Sequence, residues 1–282
     1  MSTVVILGAG EIGGALARQL AEADIVSRIV LVDDAASVAA GKALDIAQAG
    51  PVDRYTTALS GTADVAAVVG ATVIVFADKA TQPVTEWQDE AGLALLKRVA
   101  GLNQQAPMIF AGTSQTALIE RGVTELGIAR ARLIGSAPEA LRSAVVTIVA
   151  LEAGASPTDI SLSVVGRPPH SVIVPWEEAS IAGQSATQVL SAAQLARLDA
   201  RITKLWPTGP NALGSAAARI IKTAMTRGTR VHMAMVALAK GEGTPGRAAM
   251  LPVQLQPSGI ARVVTPTMSS RDRTRLETAL RA

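Results

Sequence analysis

The first feature that could do chemistry is a glycine signature, GAGEIG at residues 8–13, which directly follows a short apolar run. Where a strand turns into a helix, Gly8 permits a tight turn, Gly10 lets backbone N–H groups approach an anion, and Gly13 lets helix pack on strand. The unpaired amides and positive dipole end of the helix then attract a pyrophosphate. The spacing predicts a dinucleotide site formed by Gly8, Gly10, Glu11, Ile12 and Gly13.

An acidic residue supports this interpretation. Asp33 lies 20 residues after Gly13, at the end of a second strand-like run. There its carboxylate can accept hydrogen bonds from ribose hydroxyls and would repel a 2′-phosphate, which favours NAD over NADP. The alternative is that any tight turn requires glycine and that Asp33 only caps the next helix. Of the two neighbouring carboxylates, we expect Asp34 to be the cap.

The chain has two histidines as candidates for proton transfer. His170 lies in GRPPHSVIVPW at residues 166–176, next to two prolines. As a base it would have to come within about 3 Å of the proton that it takes. His232 lies in a Val/Met strand pattern and is expected to be structural.

Composition limits the other classes of function. Hydrophobic residues make up 49% of the 282 residues and charged residues 17%, which indicates a large core. The net charge is +3, but the arginines are scattered and aromatics are only 2%, so a nucleic-acid partner is not expected. No leader peptide or membrane span is predicted. Without cysteine, and with two isolated histidines, no metal site is expected, and a cytoplasmic location is predicted.

Alternating strand and helix patterns place these residues. Strands are predicted at 4–7, 29–32, 72–76 and 108–110, and helices at 12–22, 35–48 and 86–102. This βαβ repetition predicts an α/β fold with a doubly wound parallel sheet at residues 1–138. Residues 139–282 read as helices and antiparallel strands, and so predict a second, α+β domain.

The segment LVDDAASVAAGKALDIAQAGPV at residues 31–52, taken with the glycine loop, resembles the malate/lactate dehydrogenase family. The resemblance continues through GSAPEALRSA at 135–144 and KGEGTPGRAAMLPVQL at 240–255. It implies a Rossmann domain followed by a substrate domain, NAD as cofactor, and hydride transfer between a 2-hydroxy and a 2-oxo acid. It also implies a homodimer or homotetramer, with the dimer contact on the helix after Asp33.

The resemblance also assigns site residues. It implies that Glu139, where the family has Asp, orients a catalytic histidine, and that Arg142 clamps the substrate carboxylate. The two could equally form an ordinary helix pair. An ungapped match places Pro168 at the position of the family's histidine, whereas a match with an insertion places His170 there.

Several positions depart from the family pattern. Thr81 and Trp87 replace two loop arginines, one of which polarises the reacting carbonyl, and Lys79 is a conceivable substitute charge. Asp78 replaces a glycine that lies close to the cofactor. Gly112 replaces an asparagine that helps to hold the reacting oxygen, and the adjacent Thr113 or Ser114 could donate to a substrate instead.

Two functions remain open from the sequence. The first is an NAD-binding descendant whose hydride transfer is weak, altered or lost. The alternative is an active oxidoreductase for an unusual 2-oxo acid that uses His170, Glu139 and Arg142. A purely structural protein that excludes NAD is a third, less favoured possibility.

Overall fold

Six parallel strands form one half of a large sheet in the computed structural model, which describes residues 2–81, 85–226 and 228–281. They are β1 (Thr3–Leu7), β2 (Arg28–Val32), β3 (Ala58–Thr62), β4 (Val73–Phe76), β5 (Met108–Phe110) and β6 (Leu133–Gly135). Their order is β3-β2-β1-β4-β5-β6, and each neighbouring pair is parallel. The chain proceeds from β1 toward one edge of the sheet and from β4 toward the other edge. A binding crevice is therefore expected beyond the carboxyl ends of β1 and β4.

Helices connect these strands and cover both faces of the sheet. They are α1 (Glu11–Ala23), α2 (Ala36–Asp53), α3 (Asp89–Leu102), α4 (Thr116–Thr124) and α5 (Ala137–Ala153). Side chains of β1 and β4 alternate between two apolar clusters, one on each face, which explains why these strands read as continuous apolar runs. Phe76 and Phe110 stack with their ring centroids 5.0 Å apart.

The second half of the chain extends the same sheet with antiparallel strands. Its strands are β7 (Ile160–Ser161), β8 (Val165–Arg167), β9 (Ser171–Ile173), β10 (Ser180–Ile181), β11 (Gln184–Ser185), β12 (Val231–Ala237), β13 (Ala248–Gln256) and β14 (Gly259–Val263). Its helices are α6 (Ala186–Val189), α7 (Ala192–Ile202), α8 (Pro210–Thr226) and α9 (Ser270–Arg281). The sheet continues as β6-β12-β13-β8-β9 with β14 on β13, whereas β7, β10 and β11 form a small separate sheet. Helix α8 packs on α1, where Gly214 leaves room for Ala15 and Leu16.

The predicted α/β fold is confirmed, with differences in detail. Strands β3 and β6 and helix α4 were not predicted, and the helix expected from residue 86 begins at Asp89. The main sheet runs across the predicted boundary between residues 138 and 139, and that division stays a prediction. Among the described residues, no helix is long and apolar enough to cross a membrane.

Candidate functional site: a nucleotide-binding crevice and an arginine-lined pocket

The glycine loop joins β1 to α1 as the spacing predicts. Gly8 has a φ of +116°, and its N–H donates to the carbonyl of Val32 over 2.7 Å. A Cβ at Gly13 would overlap the carbonyl of Gly8, so glycine is needed for α1 to lie against the turn. Gly10 precedes the helix without any side-chain cap, and Glu11 is exposed in the first turn.

The free amides of α1 have a partner from another part of the chain. The carboxylate of Asp78, which follows β4, accepts from Ile12 N–H over 3.1 Å and from Gly13 N–H over 2.9 Å. The N–H of Gly10 donates to the Asp78 carbonyl over 2.9 Å. Asp78 is 1% exposed, so it is an internal anion at the positive end of α1. The sequence analysis singled out Asp78 but did not predict this role.

A lysine supplements the loop. Lys42 on α2 donates from Nζ to the Gly10 carbonyl over 2.6 Å, and its aliphatic stem covers Gly14. The ammonium group of Lys42 thus contacts the same turn whose amides donate to Asp78. The sequence analysis did not select Lys42, since a single lysine in a helix commonly only faces solvent.

Asp33 lies at the end of β2, where an acceptor for ribose was expected, but it serves the backbone. It is 2% exposed, and one of its oxygens accepts from Ala9 N–H over 2.8 Å and from Ala80 N–H over 2.9 Å. The other accepts from Ala35 N–H over 3.0 Å. The expectation that Asp34 caps the next helix was wrong: Asp34 is exposed, and α2 begins at Ala36 without a side-chain cap.

A second carboxylate occupies the crevice beyond β5. Glu86 accepts from the N–H groups of Thr113 and Ser114 over 2.9 and 2.7 Å. A Cβ at Gly112 would overlap this carboxylate, so Glu86 fills the space next to Gly112. Asp78 and Glu86 face each other in an antiparallel bridge, which ties both to one backbone segment.

Lys79 and Trp87 contact each other. Lys79 Nζ lies 4.0 Å from the centroid of the Trp87 ring, within the range of a cation–π interaction. The charge of Lys79 is therefore positioned on the Trp87 ring. Thr81 also lies in the described part of the loop, whereas residues 82–84 fall outside it.

Glu139 and Arg142 are brought together on the first turns of α5. Glu139 is 3% exposed, and Arg142 donates to it from Nε over 3.2 Å and from Nη2 over 2.9 Å. Met233 N–H on β12 donates to the same carboxylate over 3.0 Å. Burial by itself would raise the pKa of Glu139, but the adjacent His232 and Arg142 hold this pKa at about 2.

The two histidines are placed differently from each other. His232 is fully buried, with Nε2 2.9 Å from Thr223 Oγ1 and Nδ1 3.6 Å from Glu139 Oε1, which is beyond hydrogen-bond distance. The structural role expected for it fits this burial, but its proximity to Glu139 was not predicted. His170 is exposed in the turn between β8 and β9, after Pro168. Within the described ranges, the ion pairs of Glu139 are with Arg142, Arg219 and His232, and none is with His170.

Glu139 and Arg142 line a pocket of about 600 Å³ between α5 and α8. Arg219 and Arg230 line it too, so the pocket is lined by three arginines and one buried carboxylate. Burial, followed by the neighbouring charge of Arg230, lowers the pKa of Arg219. An excess of positive charge in a concave site favours an anionic ligand. Neither Arg219 nor Arg230 was selected from sequence, because only the fold brings them to Arg142.

No group of three or more His, Asp or Glu side chains suited to a metal ion occurs in the part of the chain that the structure describes.

Comparisons with known proteins agree with this architecture. Residues 2–89 match the family model for the lactate/malate dehydrogenase NAD-binding domain. A malate dehydrogenase of Thioalkalivibrio sulfidiphilus is 31% identical over 205 residues, covering 70% of this chain and 67% of that protein. A malate dehydrogenase of Thermomicrobium roseum is 25% identical over 294 residues, covering 99% of this chain and 95% of that protein.

Solved structures share the whole fold at low identity. A lactate dehydrogenase from Cryptosporidium parvum superposes with a TM-score of 0.87 at 18% identity, over 99% of this chain and 94% of that one. A malate dehydrogenase from Salinibacter ruber gives 0.86 at 18% identity, over 98% and 93%. The Rossmann order of the sheet, the glycine loop and these matches lead to one conclusion: the chain belongs to the lactate/malate dehydrogenase family.

Proposed function

We propose that this chain is an NAD(H)-binding member of the family in which hydride transfer between NAD and a 2-hydroxy or 2-oxo acid is weak or lost. The observation that carries the proposal is the separation of His170 from Glu139. The Glu139 carboxylate is engaged by Arg142 and by Met233 N–H, while His170 is exposed and makes no hydrogen bond with the described residues. A general base has to lie within hydrogen-bond reach of the proton that it takes, and no carboxylate within the described ranges orients His170.

The framework of the crevice fits NAD, the cofactor of this domain family. The glycine loop and the start of α1 would hold the pyrophosphate, and Asp33 lies where the adenosine ribose would reach the end of β2. When bound, NAD supplies the hydride donor or acceptor. Two features do not fit a bound cofactor directly, because Asp78 already uses the amides of Ile12 and Gly13, and Asp33 already accepts from three backbone amides.

The loss of charge at the loop supports low activity. Trp87 cannot polarise a carbonyl, and the ammonium of Lys79 is directed at the Trp87 ring. Losing an electrostatic group of this type costs on the order of a hundredfold or more in rate. The arginine-lined pocket still suits a small carboxylic acid, so binding of an anion and loss of turnover are compatible.

The alternative is an active oxidoreductase of unusual 2-oxo acid specificity that uses His170, Glu139 and Arg142. The observation in its favour is that Glu139 and Arg142 do lie together beside a pocket of about 600 Å³. For this alternative, the turn between β8 and β9 would have to bring His170 to that pair when an acid binds.

A steady-state assay separates the two. We expect NADH oxidation, followed at 340 nm with pyruvate, oxaloacetate and longer 2-oxo acids, to be very slow and equally slow in His170→Ala. The reason is that, among the described residues, His170 pairs with no carboxylate that could orient it. Ser171→Ala, at the next residue, controls for disturbance of the turn. Turnover that is clear in the wild type, persists in Ser171→Ala and disappears in His170→Ala would establish the alternative.

The assembly state is part of the proposal. Helix α2, which follows Asp33, exposes Val38, Leu44 and Val52 at 44%, 59% and 79% of their surfaces. Exposed apolar side chains of this size on one helix suit a contact with another protein surface. We propose a homodimer or homotetramer in which α2 contacts a second copy. A cytoplasmic location stays a prediction from the sequence.

Substituting Leu44 tests this assembly. We expect Leu44→Glu to convert a dimer or tetramer to a monomer in light scattering at micromolar concentration, because a charge would be buried in the contact. Leu151 on α5 is 75% exposed and provides the matched control, Leu151→Glu, which should keep the wild-type mass. Wild-type mass in Leu44→Glu would contradict an α2 contact.

A further inference from the structure

The structure assigns to Asp78 the role of an internal anion that occupies the pyrophosphate subsite, so that NAD competes with the protein's own carboxylate. This inference rests on the proposed NAD binding and specifies what controls it. Asp78 accepts from the two amides of Ile12 and Gly13 at the start of α1, at 3.1 and 2.9 Å. These are the groups that a glycine loop of this type offers to a bound phosphate.

The space left by Gly10 is filled. A Cβ built at Gly10 would overlap the carboxylate of Asp78, which shows how closely that side chain approaches the backbone of the loop. A glycine at this position normally serves to let a pyrophosphate approach. Two anionic groups cannot share this volume, and their charges would repel each other at the same helix terminus. Binding of a pyrophosphate therefore requires that Asp78 leave.

The backbone holds Asp78 in place. Gly10 N–H donates to the Asp78 carbonyl, and Ala77 N–H donates to the Leu7 carbonyl over 2.9 Å. The bridge to Glu86 joins Asp78 to a second carboxylate, which accepts from Thr113 and Ser114. Two acidic side chains on one segment thus accept from the amides at the start of α1 and from those that follow β5. A bound anionic ligand would otherwise accept these hydrogen bonds.

The consequence is a reduced apparent affinity. An internal group that is held at its site acts at a high effective concentration, and the apparent Kd rises in inverse proportion to the fraction of molecules whose site is free. Asp78 is 1% exposed, and its carboxylate accepts two hydrogen bonds. The fraction of molecules in which the pyrophosphate subsite is free is therefore small. Removing the carboxylate should therefore tighten NAD binding by about tenfold or more.

Calorimetric titration with NAD of the full-length wild type, Asp78→Gly and Asp78→Asn tests this role. Asp78→Gly empties the subsite, and Asp78→Asn keeps the size of the side chain but removes its charge. We expect both variants to bind NAD more tightly than the wild type, with the larger gain in Asp78→Gly. Their thermal unfolding without NAD should shift downward, because α1 loses its cap, and should recover on addition of NAD.

Asp24 provides the matched control. Its carboxylate also accepts from two backbone amides, those of Thr56 and Thr57, at 3.0 and 2.9 Å, but it lies just past the far end of α1. Asp24→Asn should leave NAD affinity unchanged.

Each outcome has a distinct meaning. Affinity that is unchanged or weaker in both folded Asp78 variants, with a wild type that binds NAD, overturns the role of Asp78 and leaves the proposed NAD binding intact. No binding by the wild type or by either variant overturns the proposed NAD binding as well.

Discussion

Glu139→Gln is expected to destabilise the protein by about 3 kcal/mol at pH 7, and the difference from the wild type should vanish as the pH falls toward 2. The pKa of Glu139 is about 2 in the folded protein, against an ordinary value of 4.5. Each pH unit by which the two differ corresponds to about 1.4 kcal/mol. The negative charge of this buried side chain is therefore favourable in the folded state.

The sign of the pH dependence follows from this lowered pKa. A carboxyl whose pKa is lower when folded contributes stability that is complete above the unfolded pKa. That contribution is lost as the pH falls from about 4.5 to about 2, because the unfolded chain takes up the proton first. Glutamine can still accept from Met233 N–H but cannot pair with Arg142, which is 16% exposed. The variant thus resembles the protonated wild type.

Urea unfolding at pH 7, 5 and 3.5 measures this effect. Glu152 lies on the same helix and pairs over 2.8 Å with Arg197, whose side chain is 61% exposed, so Glu152→Gln is the matched control with only a small effect expected. An equal loss of stability in Glu139→Gln at all three pH values would contradict the account of a buried, charge-stabilised carboxylate.

Asp33→Ala is expected to destabilise the protein by about 1–3 kcal/mol, because the buried N–H group of Ala9 loses its acceptor and two half-buried N–H groups lose theirs as well. Asp33 serves Ala9, Ala35 and Ala80, which belong to the glycine turn, the start of α2 and the segment after β4. One side chain thus connects the three segments that border the nucleotide crevice.

Thermal and urea unfolding of paired variants check this role. Asp34→Ala changes the exposed neighbour and should stay within about 0.5 kcal/mol of the wild type. Asp33→Asn should recover part of the loss, since its amide oxygen can still accept from Ala9 and Ala80. A loss of stability in Asp34→Ala as large as that in Asp33→Ala would show that the charge, and not the three hydrogen bonds, stabilises this edge.

Local sequence patterns predicted those parts of the fold that neighbouring residues determine by themselves. The apolar run before Gly8 and the spacing to Gly13 predicted β1 and α1, because the turn requires glycine whatever the tertiary structure. Strand β3, with the sequence ALSGT, was not predicted, since it carries neither an apolar run nor alternation. Its pairing with β2 over five residues comes from the neighbouring strand.

The site was only partly predictable for a similar reason. The pair of Glu139 and Arg142 follows from helical spacing, so the sequence suffices for it. The contact of Asp78 with α1 spans 65 residues to Gly13, and that of Met233 with Glu139 spans 94. Such contacts depend on the order of strands in the sheet, which no local pattern contains.

A single-turnover experiment tests the central claim most directly, namely that NAD binding persists while hydride transfer is weak or lost. The protein is saturated with NADH, as judged by fluorescence, and mixed rapidly with excess oxaloacetate or pyruvate while absorbance at 340 nm is followed. The account predicts saturable NADH binding and no oxidation faster than that in free solution. A burst of oxidation equal to the amount of bound NADH would contradict it and establish a competent dehydrogenase.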